Sequence, residues 1–376
     1  MSNHQKSRPV VFLVCTGLGN INRGYESFTR ECFDSLKENK EFDLFLLKGA
    51  GNSCSNEIGI PNFSRLKKPA KLLAKLFQRP PYNIEQASFC FCLIPLIIRK
   101  RPALIYYSDF ITGTYLWYLR KYLGFKYRLL FANGAPNGPP YKTEDHVQQL
   151  LPVYHSIGVK CDGNKKHTYL PYAFDINIEK RKKHLDQREI IRRRLGFART
   201  QKVILAVGAI NMHHKRMHYI INEVATLDAS FCLMMIGQYE QETTEVLELA
   251  NKKLAGRNII ANVPHKEMGD YYVAADFFVL ASLQEGFPRV SIEALSYGLP
   301  CIVHDYVVGR QILQGNGIYV DMRFDGALSA ALKDIKVGTS NKQDAIKAAY
   351  DNYSWDVLKA GYSGIIKNQL KAANAN

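Results

Sequence analysis

Acidic residues are the first shortage. The chain sets 34 Asp and Glu against 50 Lys and Arg, which leaves a formal charge of +16. A surface of that sign points to anionic partners: nucleic acid, phospholipid headgroups or nucleotide phosphates. The basic residues form two separate blocks and no recognised nucleic-acid fold, so nucleic acid is not expected. Cysteines at metal spacing are also missing. The eight cysteines show no CxxC or Cys/His zinc pattern, and Cys90 and Cys92 sit in an apolar run as buried thiols, which implies a reducing compartment. Long apolar runs are absent too: Phe89 to Ile98 is about half the ~20 residues of a membrane-spanning helix. Met1 to Pro9 is polar and Val10 to Cys15 only strand-sized, so no secretory leader is expected. No internal repeat, low-complexity tract or DxD or HExxH metal motif occurs. What remains is a cytoplasmic protein, soluble or peripheral on the cytoplasmic face of the membrane. At 376 residues it is long enough for two domains.

Read in order, Val10 to Cys15 is a buried strand, TGLGNINRG a glycine-rich loop and Tyr25 to Glu38 a helix. Phe42 to Leu47 is a second strand. The segment 64–79, SRLKKPAKLLAKLFQR, carries six basic residues and no acid. Its leucines and Phe77 recur at helical spacing behind the lysines, and Pro69 confines the helix to the residues after it. An amphipathic helix on an anionic membrane and a solvated helix packed on its own domain both fit that pattern. Leu104 to Tyr107 is a strand, Thr112 to Tyr122 a helix, and Arg128 to Ala132 a strand that ends in the loop NGAPNGPPY. Ser156 to Val159 and Thr168 to Leu170 read as short closing strands. Lys180 to Arg194, with eight basic and two acidic residues, reads as a linker entering a helix.

A second series starts with the strand Val203 to Val207, the loop GAINMHHKR and the helix Met217 to Leu227. It continues with the strand Phe231 to Ile236, the helix Glu240 to Ala255, the strand Asn258 to Ala261 and the helix Lys266 to Ala275. QEGFPRVSIEALSYGLP then lies between the strands Phe277 to Ala281 and Cys301 to Val303, and the tail from Asn341 is helical. Two strand–helix series imply an α/β protein of two Rossmann-like domains facing across a cleft. The boundaries fall at 1–177 and 178–354, and a helix of about 355–376 completes the first domain.

Glu285 and Glu293 have seven residues between them across a loop and a helix start. The helix start offers the amides of Phe287, Arg289 and Val290 to a phosphate, because the first N–H groups of a helix lack acceptors and the dipole favours an anion. Pro288 fits the first turn and gives up no needed donor. Glu293 is suited to a pair of ribose hydroxyls. Lys215, after the strand Val203 to Val207, is suited to neutralise a diphosphate. Gly17 and Gly19 allow close approach of a phosphate or sugar to the backbone. Two solvated glutamates and a solvated lysine are the plain alternative from composition alone.

EGFPRVSIE with ALSYGLP behind it, the upstream VGAINMHHKR, the GLGNINRGYE loop, the LPYAFD turn and the terminal SWDVLKAGY resemble glycosyltransferase family four, retaining enzymes of the GT-B fold. The resemblance covers nearly the whole chain and is strongest over 203–310. It implies that Glu293 holds the nucleotide ribose, that Glu285 holds the donor sugar and that Lys215 holds the diphosphate. It also implies a donor site including Gly17, Gly19, Gly208, Gly237, His265, Met268, Gly286, Phe287, Pro288, Arg289 and Val290. Ala209 stands where the family often has arginine, so Arg216 becomes the second cation expected. Asn133 or Gly134 corresponds to the acceptor side. The activity implied is transfer of a sugar from a nucleoside-diphosphate-sugar to an acceptor hydroxyl, without cofactor or metal, in polysaccharide, glycolipid or glycan assembly. The acceptor is a sugar, a lipid-linked compound or a small molecule. A nucleotide-sugar epimerase of the same fold and a non-catalytic sugar-nucleotide or glycan-binding module remain open.

Overall fold

The computed structural model describes residues 8–21, 24–135, 137–335 and 342–374. Asn22 and Arg23 of the glycine-rich loop, Pro136 of NGAPNGPPY, Asn341 and the last two residues lie outside that set, as does most of the polar start. The chain forms two compact units, Met1–Asp175 with Trp355–Asn376, and Ile176–Ser354.

The first unit runs β1 (Val10–Cys15), α1 (Gly24–Leu36), β2 (Asp43–Lys48), β3 (Glu57–Gly59), α2 (Lys68–Leu76), α3 (Pro81–Lys100), β4 (Leu104–Tyr107), α4 (Phe110–Leu123), β5 (Arg128–Asn133), β6 (His146–Gln149), α5 (Pro152–Asp162) and β7 (His167–Tyr169). Its seven strands are parallel in the order β3-β2-β1-β4-β5-β6-β7. The second unit runs α6 (Ile178–Leu185), α7 (Arg188–Arg194), β8 (Lys202–Val207), α8 (Met217–Ala225), β9 (Phe231–Ile236), α9 (Thr243–Leu254), β10 (Asn258–Ala261), α10 (Met268–Ala274), β11 (Phe277–Leu280), α11 (Arg289–Ser296), β12 (Cys301–His304), α12 (Val307–Leu313), β13 (Gly317–Val320), α13 (Ala327–Asp334) and α14 (Lys342–Tyr353). Its six strands are parallel in the order β10-β9-β8-β11-β12-β13. The last helix, α15 (Trp355–Asn374), belongs to the first unit.

Parallel strands covered on both faces must be apolar throughout, and β8, β9 and β11 are buried almost end to end. That is why the sequence marked them so well. β6 is the counter-example. His146, Val147, Gln148 and Gln149 are all buried, and the two glutamines survive there because their amides are bonded. Gln148 Nε2 donates to Leu170 O at 2.7 Å, and Gln149 Oε1 accepts from Asn133 Nδ2 at 2.9 Å. A strand built on satisfied amides leaves no apolar pattern. The expected strand at Ser156 to Val159 is instead inside α5, begun by Pro152 at its first position.

The segment 180–194 is helical in both halves, α6 and α7, and not a linker. Asn177 caps α6 by accepting from Lys180 N at 2.8 Å. The apolar run at 89–98 is part of α3, whose 20 residues are long and apolar enough to cross a membrane by length and composition. The expectation of half that length falls short, because the helix already begins at Pro81, well ahead of the apolar run. Phe89, Cys90, Leu93 and Ile97 nevertheless pack into the core of the first unit. α15 is docked there by rings. Phe28 stacks on Tyr172 at 4.0 Å, Trp355 lies 4.8 Å from Tyr362, and the Tyr362 hydroxyl donates to Pro171 O at 2.7 Å.

Candidate active site

In an open parallel sheet, ligands bind outside the carboxyl ends of the strands where the strand order reverses. In the second unit that point lies between the parallel neighbours β8 and β11: β9 and β10 follow β8 outward on one side, and β12 and β13 follow β11 on the other. The loop after β8 carries Lys215, and the loop after β11 carries Glu285. The structure joins them: Lys215 Nζ donates to Glu285 Oε1. The side chains are 14% and 11% exposed, so the pair is mostly out of water. His214 Nε2 stands 3.8 Å from the same carboxylate oxygen.

Two glycines make room for this. Gly208, at φ +150°, carries the Lys215 stem across its α-carbon, where a β-carbon would lie 2.8 Å from Lys215 Cε. Gly237, at the end of β9, lies against Gly208, and a β-carbon there would be 1.7 Å from Gly208 O. The loop is folded by Asn211, which the sequence reading missed. Its Oδ1 accepts from Lys215 N at 2.7 Å, and its Nδ2 donates to Glu240 at 2.8 Å. Nothing in GAINMHHKR marks that asparagine, because its partners come from the fold.

Arg216 adopts φ +52°, a conformation unfavourable for a side chain-bearing residue. Its guanidinium donates to Met322 O at 2.6 Å and Ala281 O at 3.3 Å and lies 4.4 Å from the Tyr219 ring. Those contacts hold the strained backbone and tie the loop to the end of β11. The expected second cation is thus engaged at its Nη1.

Glu293 sits on α11, and its Oε2 accepts from the Tyr272 hydroxyl at 2.9 Å. Burial, then the charge of Glu293, push the Tyr272 hydroxyl well up, so it stays a donor. Tyr272 stacks on Tyr297 at 5.3 Å, and the Arg181 guanidinium lies 4.0 Å over the Tyr297 ring. This brace from α6 through α10 to α11 was also invisible in sequence.

Gly286 and Phe287 lead into α11, with Pro288 at its N-cap and Phe287 edge-on to Tyr353 at 6.4 Å. The Arg289 amide donates to Phe287 O at 2.9 Å and the Ser291 amide to Pro288 O at 3.1 Å. Of the expected helix-start donors, the Arg289 amide is therefore turned back into the loop. His265 is exposed in a single 3-10 turn after β10, and Met268 is buried at the start of α10.

The remaining site residues lie in the first unit. Gly17 and Gly19 follow β1, again beside a reversal of strand order, β1 to β4. A β-carbon on Gly17 would meet Glu26 Oε1 at 2.2 Å, and Gly19, at φ +93°, faces Ala50 O. Asn133 is buried and its amide is satisfied: the two N–H groups of Nδ2 have Tyr141 Oη and Gln149 Oε1 at 2.9 Å and Asn137 O at 3.2 Å as acceptors, and Oδ1 accepts from Asn137 N. It holds its loop, and its polar atoms are not offered to an acceptor. Gly134 lies under the Tyr172 hydroxyl. Among the described residues, no three His, Cys, Asp or Glu side chains form a group that could hold a metal.

Residues 201–335 match the family described as Glycosyl transferases group 1. The amylovoran biosynthesis glycosyltransferase AmsD of Erwinia amylovora is 27% identical over 157 residues, 42% of this chain and 44% of that protein. The UDP-Gal:alpha-D-GlcNAc-diphosphoundecaprenol alpha-1,3-galactosyltransferase of Escherichia coli is 29% identical over 165 residues, 41% of this chain and 39% of that protein. This chain thus spans less than half the length of these curated relatives. The sucrose-phosphate synthase structure from Thermosynechococcus elongatus superposes with TM-score 0.77 at 17% identity, covering 97% of this chain and 100% of that one. Two parallel α/β units of this kind are the GT-B fold. The likeness to group 1 glycosyltransferases is carried by residues 201–335, inside the carboxyl-terminal unit.

Proposed function

We propose that the protein is a retaining glycosyltransferase that moves a sugar from a nucleoside diphosphate to an acceptor hydroxyl in polysaccharide, glycolipid or glycan assembly. The observation that carries this is the Lys215–Glu285 pair at the reversal between β8 and β11. A lysine held by a carboxylate in a mostly dry loop can exchange that partner for a diphosphate whose charge grows as the glycosidic bond breaks. That is stabilisation aimed at the transition state. Glu285, released, faces the donor sugar. Glu293, held at one oxygen by Tyr272, offers its other oxygen to the ribose diol. The acceptor oxygen attacks from the face the leaving group departs, and the departing phosphate takes the acceptor's proton. Lys215 and the Val290 amide supply the charge stabilisation in this scheme, so no metal is required.

The E. coli relative's name gives it a UDP-sugar donor and a lipid-diphosphate acceptor. That supports a nucleotide-sugar donor and a lipid-linked acceptor for this chain, and with it a place on the cytoplasmic face of the membrane. Incubation with labelled UDP-, GDP- and ADP-sugars tests the reading. Transfer, or slow hydrolysis with retained anomeric configuration, in the presence of a chelator supports it. A C2-epimer product, or binding without turnover, overturns it in favour of an epimerase or a binding module.

A further inference from the structure

Helix α2 turns two of its three leucines, Leu72 and Leu76, away from the protein, while Leu73 is half-buried. Ala70 and Ala74, one turn apart, are its buried residues and seat it on α3. Leu72 and Leu76, also one turn apart, project oppositely and are 70% and 73% exposed. Phe77 at the helix end is 61% exposed, and Leu66 ahead of it is 62% exposed. Lys68, Lys71 and Lys75 flank the Leu72–Leu76 ridge, all exposed and without an ion pair among the described residues. Arg65 differs: its Nε donates to the buried Glu85 and its guanidinium lies 4.3 Å over Tyr82, which anchors the segment to α3. Beside α2, α3 also shows an outward stripe, Phe91 and Ile98, and ends in Arg99 and Lys100.

A helix that only needed solvation would bury its leucines and leave its alanines outside. Single exposed apolar residues need no explanation, but a leucine ridge edged by lysines matches a helix lying in a membrane interface. We propose that α2 docks the protein on an anionic phospholipid surface. Leu72, Leu76 and Phe77 enter the acyl boundary, and Lys68, Lys71 and Lys75 meet the headgroup phosphates. The apolar ridge is what distinguishes a bilayer from a soluble phosphate. The inference rests on the proposed transferase reading only for the lipid-linked acceptor that such a surface would present. Vesicle binding is measured without any sugar, so its failure and the failure of the transferase reading are separate results.

The test is co-sedimentation with vesicles of about one-third phosphatidylglycerol in phosphatidylcholine, against phosphatidylcholine alone. The unaltered protein should bind the anionic vesicles only. The Lys68→Gln, Lys71→Gln, Lys75→Gln triple variant should bind roughly a hundredfold more weakly, since each surface charge contributes several-fold. The Leu72→Ser, Leu76→Ser variant should bind more weakly, and its residual binding should vanish in high salt because only charge is left to hold it. All five side chains are exposed, so melting temperatures should stay unchanged and separate lost docking from lost folding. No binding at low salt, or binding indifferent to both variants, overturns the proposal. A dimer in light scattering that the leucine variant dissolves would overturn it too, by giving the ridge to a second copy of the chain.

Discussion

At the scale of single residues, the two glutamates of EGFPRVSIE have different surroundings and should fail differently. Glu293 is bonded to a neutral tyrosine, and in the proposed site its other oxygen takes the ribose, so Glu293→Ala should raise donor KM with kcat little changed. The loss of a charged hydrogen bond, ~1.5–3 kcal/mol, corresponds to roughly ten- to a hundredfold in KM. Glu285→Gln keeps the shape but frees Lys215 from its counter-charge, and should chiefly lower kcat. Initial-rate kinetics over donor concentration check both, and equal effects on KM and kcat in the two variants would refute the assignment. Tyr272 acts through Glu293. Tyr272→Phe should therefore raise donor KM in the wild-type background and change it little beside Glu293→Ala, a non-additivity that a double-mutant cycle measures.

At the scale of elements, the carboxyl ends of β8 and β9 meet through Gly208 and Gly237 with no room for another atom. Gly237→Ala would push its β-carbon into the Gly208 carbonyl, and should cost about 3 kcal/mol or more in urea unfolding. A loss within experimental error would show that the strand ends can part freely. Helix α2 makes an opposite pair of predictions. Ala74 is buried against α3, so Ala74→Leu should destabilise by ~1–3 kcal/mol through overpacking. Leu76, in solvent, should tolerate Leu76→Ala within ~0.5 kcal/mol. The reverse ranking in thermal unfolding would mean that the leucines, not the alanines, face the protein.

At the scale of the whole molecule, stability should fall as the pH drops from neutral. Burial, then the nearby positive charges of His167 and Arg128, push His146 down to about 4. Below its ordinary value near 6.5 the unfolded chain takes up a proton that folded His146 refuses until about 4, so stability is lost through that window. The shift corresponds to about 3 kcal/mol at most. Glu57 enters later. Held at about 2, chiefly by its bond to Arg30 and then by Lys48, it contributes stability above 4.5 that is lost as the pH falls toward 2. Melting temperatures between pH 7 and 4 should therefore decline in the parent protein and decline less steeply in His146→Gln, the remainder coming from His167 and His218, which burial also pushes down. An unchanged slope would place the loss elsewhere.

The buried parallel strands and the EGFPRVSIE segment were legible in the sequence because a doubly covered strand must be apolar and a loop between two such strands must lie at the sheet edge. β9 and β10 stand at the residues expected of them. The sequence also placed Lys215 and Glu285 each at a strand's carboxyl end, since that needs only local order. It could not show that the two touch, because their contact depends on β8 and β11 being neighbours while β9 and β10 lie on the other side of β8. Tertiary structure likewise decided β6, whose glutamines are tolerated only because partners from other segments satisfy them. It decided Asn133, which the loop consumes, and it decided which side of α2 faces inward. Local pattern records which residues share a helix face; only packing determines whether that face meets protein or solvent.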